Sequence, residues 1–341
     1  MEFLVGPFSF PGMTLTPSTS SSRMDEVTWV YFSMSFLTTV ISVCGIAGNS
    51  VVVWLLSRRL RSTPFSVYIL NLAVADLLFL LCMASIIILE TQPLPDFKNA
   101  NLSAILSTNP RAKASAMAYE VVTRVKYFAY TTSLSLLTAI STQRCLSALY
   151  PFWYKCHRPR HLSSIVSALL WVLSFTMNML ASFFCNLFWH FIHVQCFKID
   201  MALGTLILGV FTPVMAISSA ILFVQVRKST LVWRRRQPRR LYVIILASVF
   251  VFLVCSLPLG IYWFVLYWVG LQPQVKFLWV CLSRLSSSVS SSANPVIYFL
   301  VGSQRSWRLK ESMGAILDRA LQEEPELEGR ETLSTGTQEG I

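Results

Sequence analysis

Charge is scarce in this sequence: charged side chains supply 13% of its 341 residues and hydrophobic ones 54%, for a mean hydropathy of +0.58. A soluble domain carries roughly 25% charged residues, so a globule of this size has too little polar surface to stay in water. Lipid must cover much of its outside. Basic residues are also missing from Met1 to Phe10, and Pro7 and Pro11 cut its apolar run; no cleavable signal peptide is expected. No P-loop, HExxH or GxSxG pattern occurs, which argues against an enzyme. No internal repeat with broken helices in both halves is visible, which argues against a small-solute transporter. No lysine lies between Phe277 and Val301, so a retinal Schiff base has no seat in the last apolar stretch. Cys156, His157 and His161 are too loosely spaced to read as a metal site, and none is expected.

What the chain does have is long apolar runs. A bilayer core of about 30 Å needs roughly 20 apolar residues in a helix, since hydrocarbon cannot satisfy open backbone groups. Seven stretches are read as meeting this, at 30–57, 65–90, 114–149, 162–187, 199–226, 240–269 and 275–301. The expected fold is an all-α membrane protein, a seven-transmembrane helix bundle over residues 30–301. An N-terminal segment, 1–29, would precede it. A short amphipathic surface helix over 302–322 would follow, with Trp307, Leu309, Met313, Ile316 and Leu317 on its apolar side. The acidic tail, 323–341, reads as disordered.

Basic residues set the expected orientation. With the amino end outside, six fall in extracellular segments (Arg23, Lys98, Arg111, Lys113, Lys198 and Lys276) and eighteen fall in cytoplasmic ones. The third cytoplasmic loop alone, between Arg227 and Arg240, holds seven. The net charge of +12 is therefore a consequence of membrane orientation, and no nucleic-acid partner is expected. The one glycosylation sequon, Asn101-Leu102-Ser103, falls in a loop expected outside.

A charge at the middle of a spanning helix costs roughly 2.5–3.5 kcal/mol on insertion scales, so such residues mark function. Asp76 sits mid-span in the second stretch, Asn49 in the first, and Asn294 precedes Pro295 in the seventh. Pro213 and Pro258 interrupt the fifth and sixth and free backbone carbonyls there. The plainer reading, hydrogen bonds that knit helices together, suits Asn49 better than Asp76.

These residues carry a resemblance. Gly48-Asn49, the block Leu72-Ala73-Val74-Ala75-Asp76, Trp171, and Asn294-Pro295-Val296-Ile297-Tyr298 occur in order on the hydrophobic stretches. The chain thereby resembles the rhodopsin-like (class A) G-protein-coupled receptors. Lys126 to Thr131, Ser135 to Cys145, Tyr154 to Leu162 and Ser283 to Gly302 are similar to the Mas-related receptors, subfamily D. The resemblance implies a plasma-membrane receptor with its amino end outside and its carboxyl end in the cytoplasm. It implies a sodium pocket at Asp76, Ser133 and Asn294, with Na+ favouring the inactive state and no other cofactor. Arg144 would engage the G protein when the helix bearing Pro258 swings out, and Tyr298 would reorganise toward it. Implied partners are a heterotrimeric G protein of the Gq or Gi type, arrestin and receptor kinases acting on the tail, and a small amino-acid ligand. For subfamily D that ligand is β-alanine; a peptide-activated Mas-related receptor is the alternative.

Three departures limit the carry-over. The acidic residue that usually precedes the arginine is Gln143, so the clamp on Arg144 lacks its carboxylate and basal signalling is expected. The aromatic toggle two residues before Pro258 is Ser256. The cysteine that usually ties the third helix to an extracellular loop is Tyr119. Cys185 and Cys196 instead flank the loop between the fourth and fifth helices on the oxidising side and read as a disulfide. Cys44, Cys82, Cys145, Cys156, Cys255 and Cys281 read as free thiols.

The ligand is expected in the outer third of the bundle. Arg124 would bind a carboxylate through its planar fork, and Asp200 an ammonium, with Tyr127, Trp263 and Phe264 closing around them. Lys126 and Arg284 are further candidates. The other reading of these charges is that Arg124, Lys126 and Arg284 pair with Asp200, Glu120 or Glu90, or reach the interface.

Overall fold

The computed structural model describes residues 20–58, 64–91, 110–150, 161–184, 205–232, 239–261 and 272–303, with isolated positions elsewhere. Seven helices organise them: α1 (Ser20–Arg58), α2 (Pro64–Thr91), α3 (Pro110–Leu149), α4 (Leu162–Phe184), α5 (Thr212–Val232), α6 (Arg239–Cys255) and α7 (Pro273–Ser303). No strand occurs among the described residues. The chain is an all-α seven-helix membrane bundle, as expected. Its boundaries differ in detail, with α1 already helical at Ser20 rather than from 30. Of the surface helix only Gly314 and Leu317 are described, and Leu317 packs into the buried core.

Only three described helical segments cross by length and apolarity alone, Trp29–Arg58, Phe65–Glu90 and Leu162–Phe183. The remaining helices carry more polar residues or are interrupted, and the cause is local in each. Helix α3 carries Glu120, Arg124, Lys126 and Arg144, and α7 carries Arg284 and a run of serines. The fifth and sixth apolar stretches are each broken. Pro213 has no N–H and its ring crowds the preceding turn, so α5 is headed by a π turn, Ile207–Phe211. The Thr212 hydroxyl donates to the Ile207 carbonyl at 2.9 Å across that widened turn. At Pro258 the same defect ends α6 at Cys255, turns the chain at Ser256, and resumes it as Leu257–Ile261.

Outward faces are apolar. Trp29, Phe36, Trp54, Leu169, Val172, Phe250 and Leu300 are each more than half exposed, a surface that only lipid can cover without aggregation. Inside, small residues let backbones approach. A Cβ at Gly45 would fall 2.7 Å from Leu80 Cδ1, and one at Gly48 would fall 3.1 Å from Pro295. Helices α1 and α7 therefore touch closely. The contact is polar as well, since the Asn49 amide donates to the Gly45 and Ser291 carbonyls at 2.9 and 3.1 Å. Trp171 Nε1 donates to Asn71 Oδ1 at 3.0 Å, tying α4 to α2. Asn178 Nδ2 donates to Thr131 Oγ1 at 2.9 Å, tying α4 to α3.

Candidate functional site

Three polar clusters lie along the bundle. The first gathers α1, α2, α3 and α7 around one carboxylate. Arg284 grips both oxygens of Glu90, each at 2.7 Å. The Tyr31 hydroxyl donates to the same carboxylate at 2.7 Å and the Tyr119 hydroxyl at 3.2 Å. The Glu90 side chain is 2% exposed and that of Arg284 is 11% exposed. A charge so placed is tolerable only when its lone pairs are filled, and four donors fill them here. Tyr119 stands where most rhodopsin-like receptors have the disulfide cysteine, so the top of α3 is tied to α2 and α7 through oxygen instead. The sequence alone offers Glu90 only as one alternative partner for Arg124, Lys126 and Arg284 and gives no sign of Tyr31. A lone glutamate ending an apolar run, opposite a lone arginine in another, was the available clue.

Arg124 stands apart from this hub. Its Nε meets Glu120 Oε1 at 3.1 Å, one turn back on α3, with side chains 21% and 23% exposed. Tyr127 is buried, and the Lys126 ammonium lies 4.4 Å from the centroid of its ring. Asp200, Trp263, Phe264, Cys185, Cys196 and Asn101 lie outside the described residues.

The second cluster is deep in the bundle. Asp76 accepts from Ser133 Oγ at 2.9 Å and from Asn294 Nδ2 at 2.7 Å. All three side chains are buried, so α2, α3 and α7 meet on one carboxylate. The structure thus brings together the three residues named from the sequence. A buried carboxylate needs donors, and one from α3 and one from α7 supply them here.

The third cluster is at the other end of α3. Arg144 is buried, its guanidinium 4.5 Å from the centroid of the Phe65 ring. Gln143 donates through Nε2 to the Tyr68 hydroxyl on α2. Tyr298 lines a small void with Phe65, Ile244, Ile245 and Ser248. The Tyr298 and Ser248 hydroxyls are buried without a hydrogen-bond partner among the described residues. Each such group costs about 1–3 kcal/mol, a local penalty on this arrangement of α6 and α7.

Between the first and second clusters, Ser256 is buried at the position where the resemblance implies an aromatic toggle. The aromatic comes from α3 instead. Tyr130 donates to the Ser256 carbonyl at 3.1 Å and stacks on Phe252 with centroids 6.1 Å apart. Cys44, Cys82, Cys145, Cys156, Cys255 and Cys281 are free thiols. Among the described residues no group of three or more His, Cys, Asp or Glu side chains could hold a metal ion.

Comparison with known proteins points one way. Residues 48–298 match the family of seven-transmembrane receptors of the rhodopsin type. The chain is 61% identical over 332 residues to the Mas-related G-protein coupled receptor member D of Rattus norvegicus, covering 97% of each chain. It is 56% identical over 327 residues to member D of Homo sapiens, covering 96% of each. Identity falls to 40% over 296 residues with member X1 of Rattus norvegicus, covering 86% of this chain and 85% of that one.

Proposed function

The chain belongs to the rhodopsin-family seven-transmembrane receptors and, within them, to the Mas-related G-protein-coupled receptors, and from that premise we propose its ligand, the ligand's seat and the direction of its signal. It is a multi-pass plasma-membrane receptor that couples ligand binding to a G protein and performs no covalent chemistry. The proposed topology has the amino end and the Glu90 end of the bundle outside, with Arg144 at the cytoplasmic mouth, because basic residues crowd the loops at that end. The Cys185–Cys196 disulfide and glycosylation at Asn101 belong to this same topology.

The proposed ligand is a small zwitterion such as β-alanine, its carboxylate on Arg124 and its ammonium on Asp200, with Tyr127 and Trp263 closing around the carbon chain. One observation favours Arg124 over Arg284 as the acid's partner. Arg284 is committed to Glu90 through two buried hydrogen bonds, whereas Arg124 shares one partly exposed contact within its own helix. Exposed pairs of that kind are worth about 0.3–0.5 kcal/mol, so an incoming carboxylate displaces Glu120 at little cost. Arg284 is left out of the seat for that reason.

Loss of a charge-assisted contact worth about 1.5–3 kcal/mol corresponds to a roughly 10- to 150-fold loss of potency. Arg124→Ala and Asp200→Ala are each expected to weaken β-alanine by that much, at near-normal surface expression, in ligand-dependent GTPγS binding. Unchanged dose–response curves for both would end the charge-pair reading.

Signalling shifts an existing equilibrium between resting and active states, by no more than the ligand's differential affinity for them. With Gln143 bonded to Tyr68, the residue before Arg144 supplies no carboxylate to hold the resting state. Gln143→Glu should therefore lower ligand-free GTPγS binding. An ion pair of about 0.5–1 kcal/mol gives a roughly two- to five-fold drop, and basal activity equal to wild type would count against the missing clamp. The proposed transducer is a Gq- or Gi-type protein entering between the inner ends of α3, α5 and α6. Arrestin and receptor kinases are proposed to act on Thr332, Ser334, Thr335 and Thr337 of the tail. Sodium is proposed to sit at Asp76, Ser133 and Asn294 in the resting state.

A further inference from the structure

Lys126 is a buried lysine with no hydrogen bond or ion pair among the described residues. The residue is 4% exposed, and its one contact among the described residues is the face of the Tyr127 ring. Glu90 acts on it only through space, because its oxygens are filled by Arg284, Tyr31 and Tyr119. Glu120 is taken by Arg124, and Asp76 by Ser133 and Asn294. When Lys126 is protonated, it adds one positive charge to the neutral Glu90–Arg284 pair inside the helix bundle. A contact with an aromatic face offsets only part of the cost of removing an ammonium from water. Successive helix residues turn by about 100°, so Lys126 and Arg124 point to nearly opposite sides of α3 and do not grip one carboxylate together.

We propose that Lys126 forms a second anion seat within the receptor, distinct from Arg124, that takes a monoanion at its ammonium, either a carboxylate carried by the ligand or a chloride ion from solution. The seat rests on the receptor reading above but not on the assignment of Arg124 and Asp200. An anion there completes the charge balance of the Glu90 hub and links occupancy to the position of α3 relative to α2 and α7.

The test is β-alanine-dependent and basal GTPγS binding by full-length receptor in membranes, in sodium chloride and in sodium gluconate, whose anion is too bulky for a closed seat. Wild type, Lys126→Met, Lys126→Arg and Arg124→Ala are compared at matched surface level. If the ligand's acid fills the seat, Lys126→Met weakens β-alanine at least tenfold in both salts and Lys126→Arg recovers part of the loss. If chloride fills it, wild-type potency or basal activity changes at least threefold between the salts, and Lys126→Met removes that difference. Lys126→Met behaving as wild type in both salts would overturn the proposal, and a simultaneous loss in Arg124→Ala would leave the Arg124–Asp200 seat standing. Should Lys126→Met not reach the surface, Lys126→Gln is read by the same criteria.

Discussion

Glu90→Ala should leave little folded receptor at the membrane, the largest loss expected from any single change in the described bundle. The substitution strands the Arg284 guanidinium in a dry site and removes the acceptor of the Tyr31 and Tyr119 hydroxyls at one stroke. Breaking a buried ion pair by deleting one partner costs about 3–5 kcal/mol, most of it the charge left behind, while replacing both partners with apolar groups costs far less. Arg284→Ala should be comparably harmful. The pair Glu90→Leu with Arg284→Leu should be milder than either single alanine variant. Thermal melting of detergent-solubilised receptor and surface staining measure this. A Glu90→Ala receptor that melts with wild type would show that the hub carries no structural weight, and a double variant as damaged as the two singles combined would show that Glu90 and Arg284 do not act as a pair.

Sodium should suppress ligand-free signalling in wild type, and Asp76→Asn should abolish that suppression. The Asp76 carboxylate is the one buried anion in its cluster, and Ser133 and Asn294 supply only neutral dipoles to it. Asparagine keeps the shape and one acceptor, and the Ser133 hydroxyl can turn to accept from the new amide. The charge that a cation needs is gone while the packing of α2, α3 and α7 survives. An ion that binds one state stabilises it as RT ln(1 + [L]/Kd); at a concentration about ten times its dissociation constant, the equilibrium moves about tenfold. The comparison is basal GTPγS binding in sodium against a large organic cation at equal ionic strength. Sodium sensitivity that persists in Asp76→Asn, or that is missing from wild type, would remove the ion from this pocket.

How much of this was legible in the sequence follows from how far each property reaches along the chain. Membrane character and helix number are set by composition over windows of about 20 residues, and they could be read directly. The grouping of Asp76, Ser133 and Asn294 could be read as well, though only through family likeness, since three helices contribute one residue each. The Glu90 hub could not. Its four members come from α1, α2, α3 and α7, and nothing in the local sequence of Tyr31 or Tyr119 says which face it turns to. The break at Ser256 was half legible, because Pro258 announced a kink but not that the helix would stop at Cys255. Arg124 and Arg284 looked alike in sequence, each a lone arginine in an outer helical third. Only the placement of Glu120 one turn away and of Glu90 across the bundle separates a loosely held guanidinium from a locked one.

The bond from Tyr130 to Ser256 uses a main-chain carbonyl, which every amino acid possesses. No replacement at position 256 can delete it, so mutational drift there leaves the tie between α3 and α6 intact. A loss of one oxygen atom at position 130, by exchange to phenylalanine, removes it completely. The tie is genetically robust from one side and fragile from the other, and a random mutagenesis screen for altered signalling should recover changes at 130 far more often than at 256.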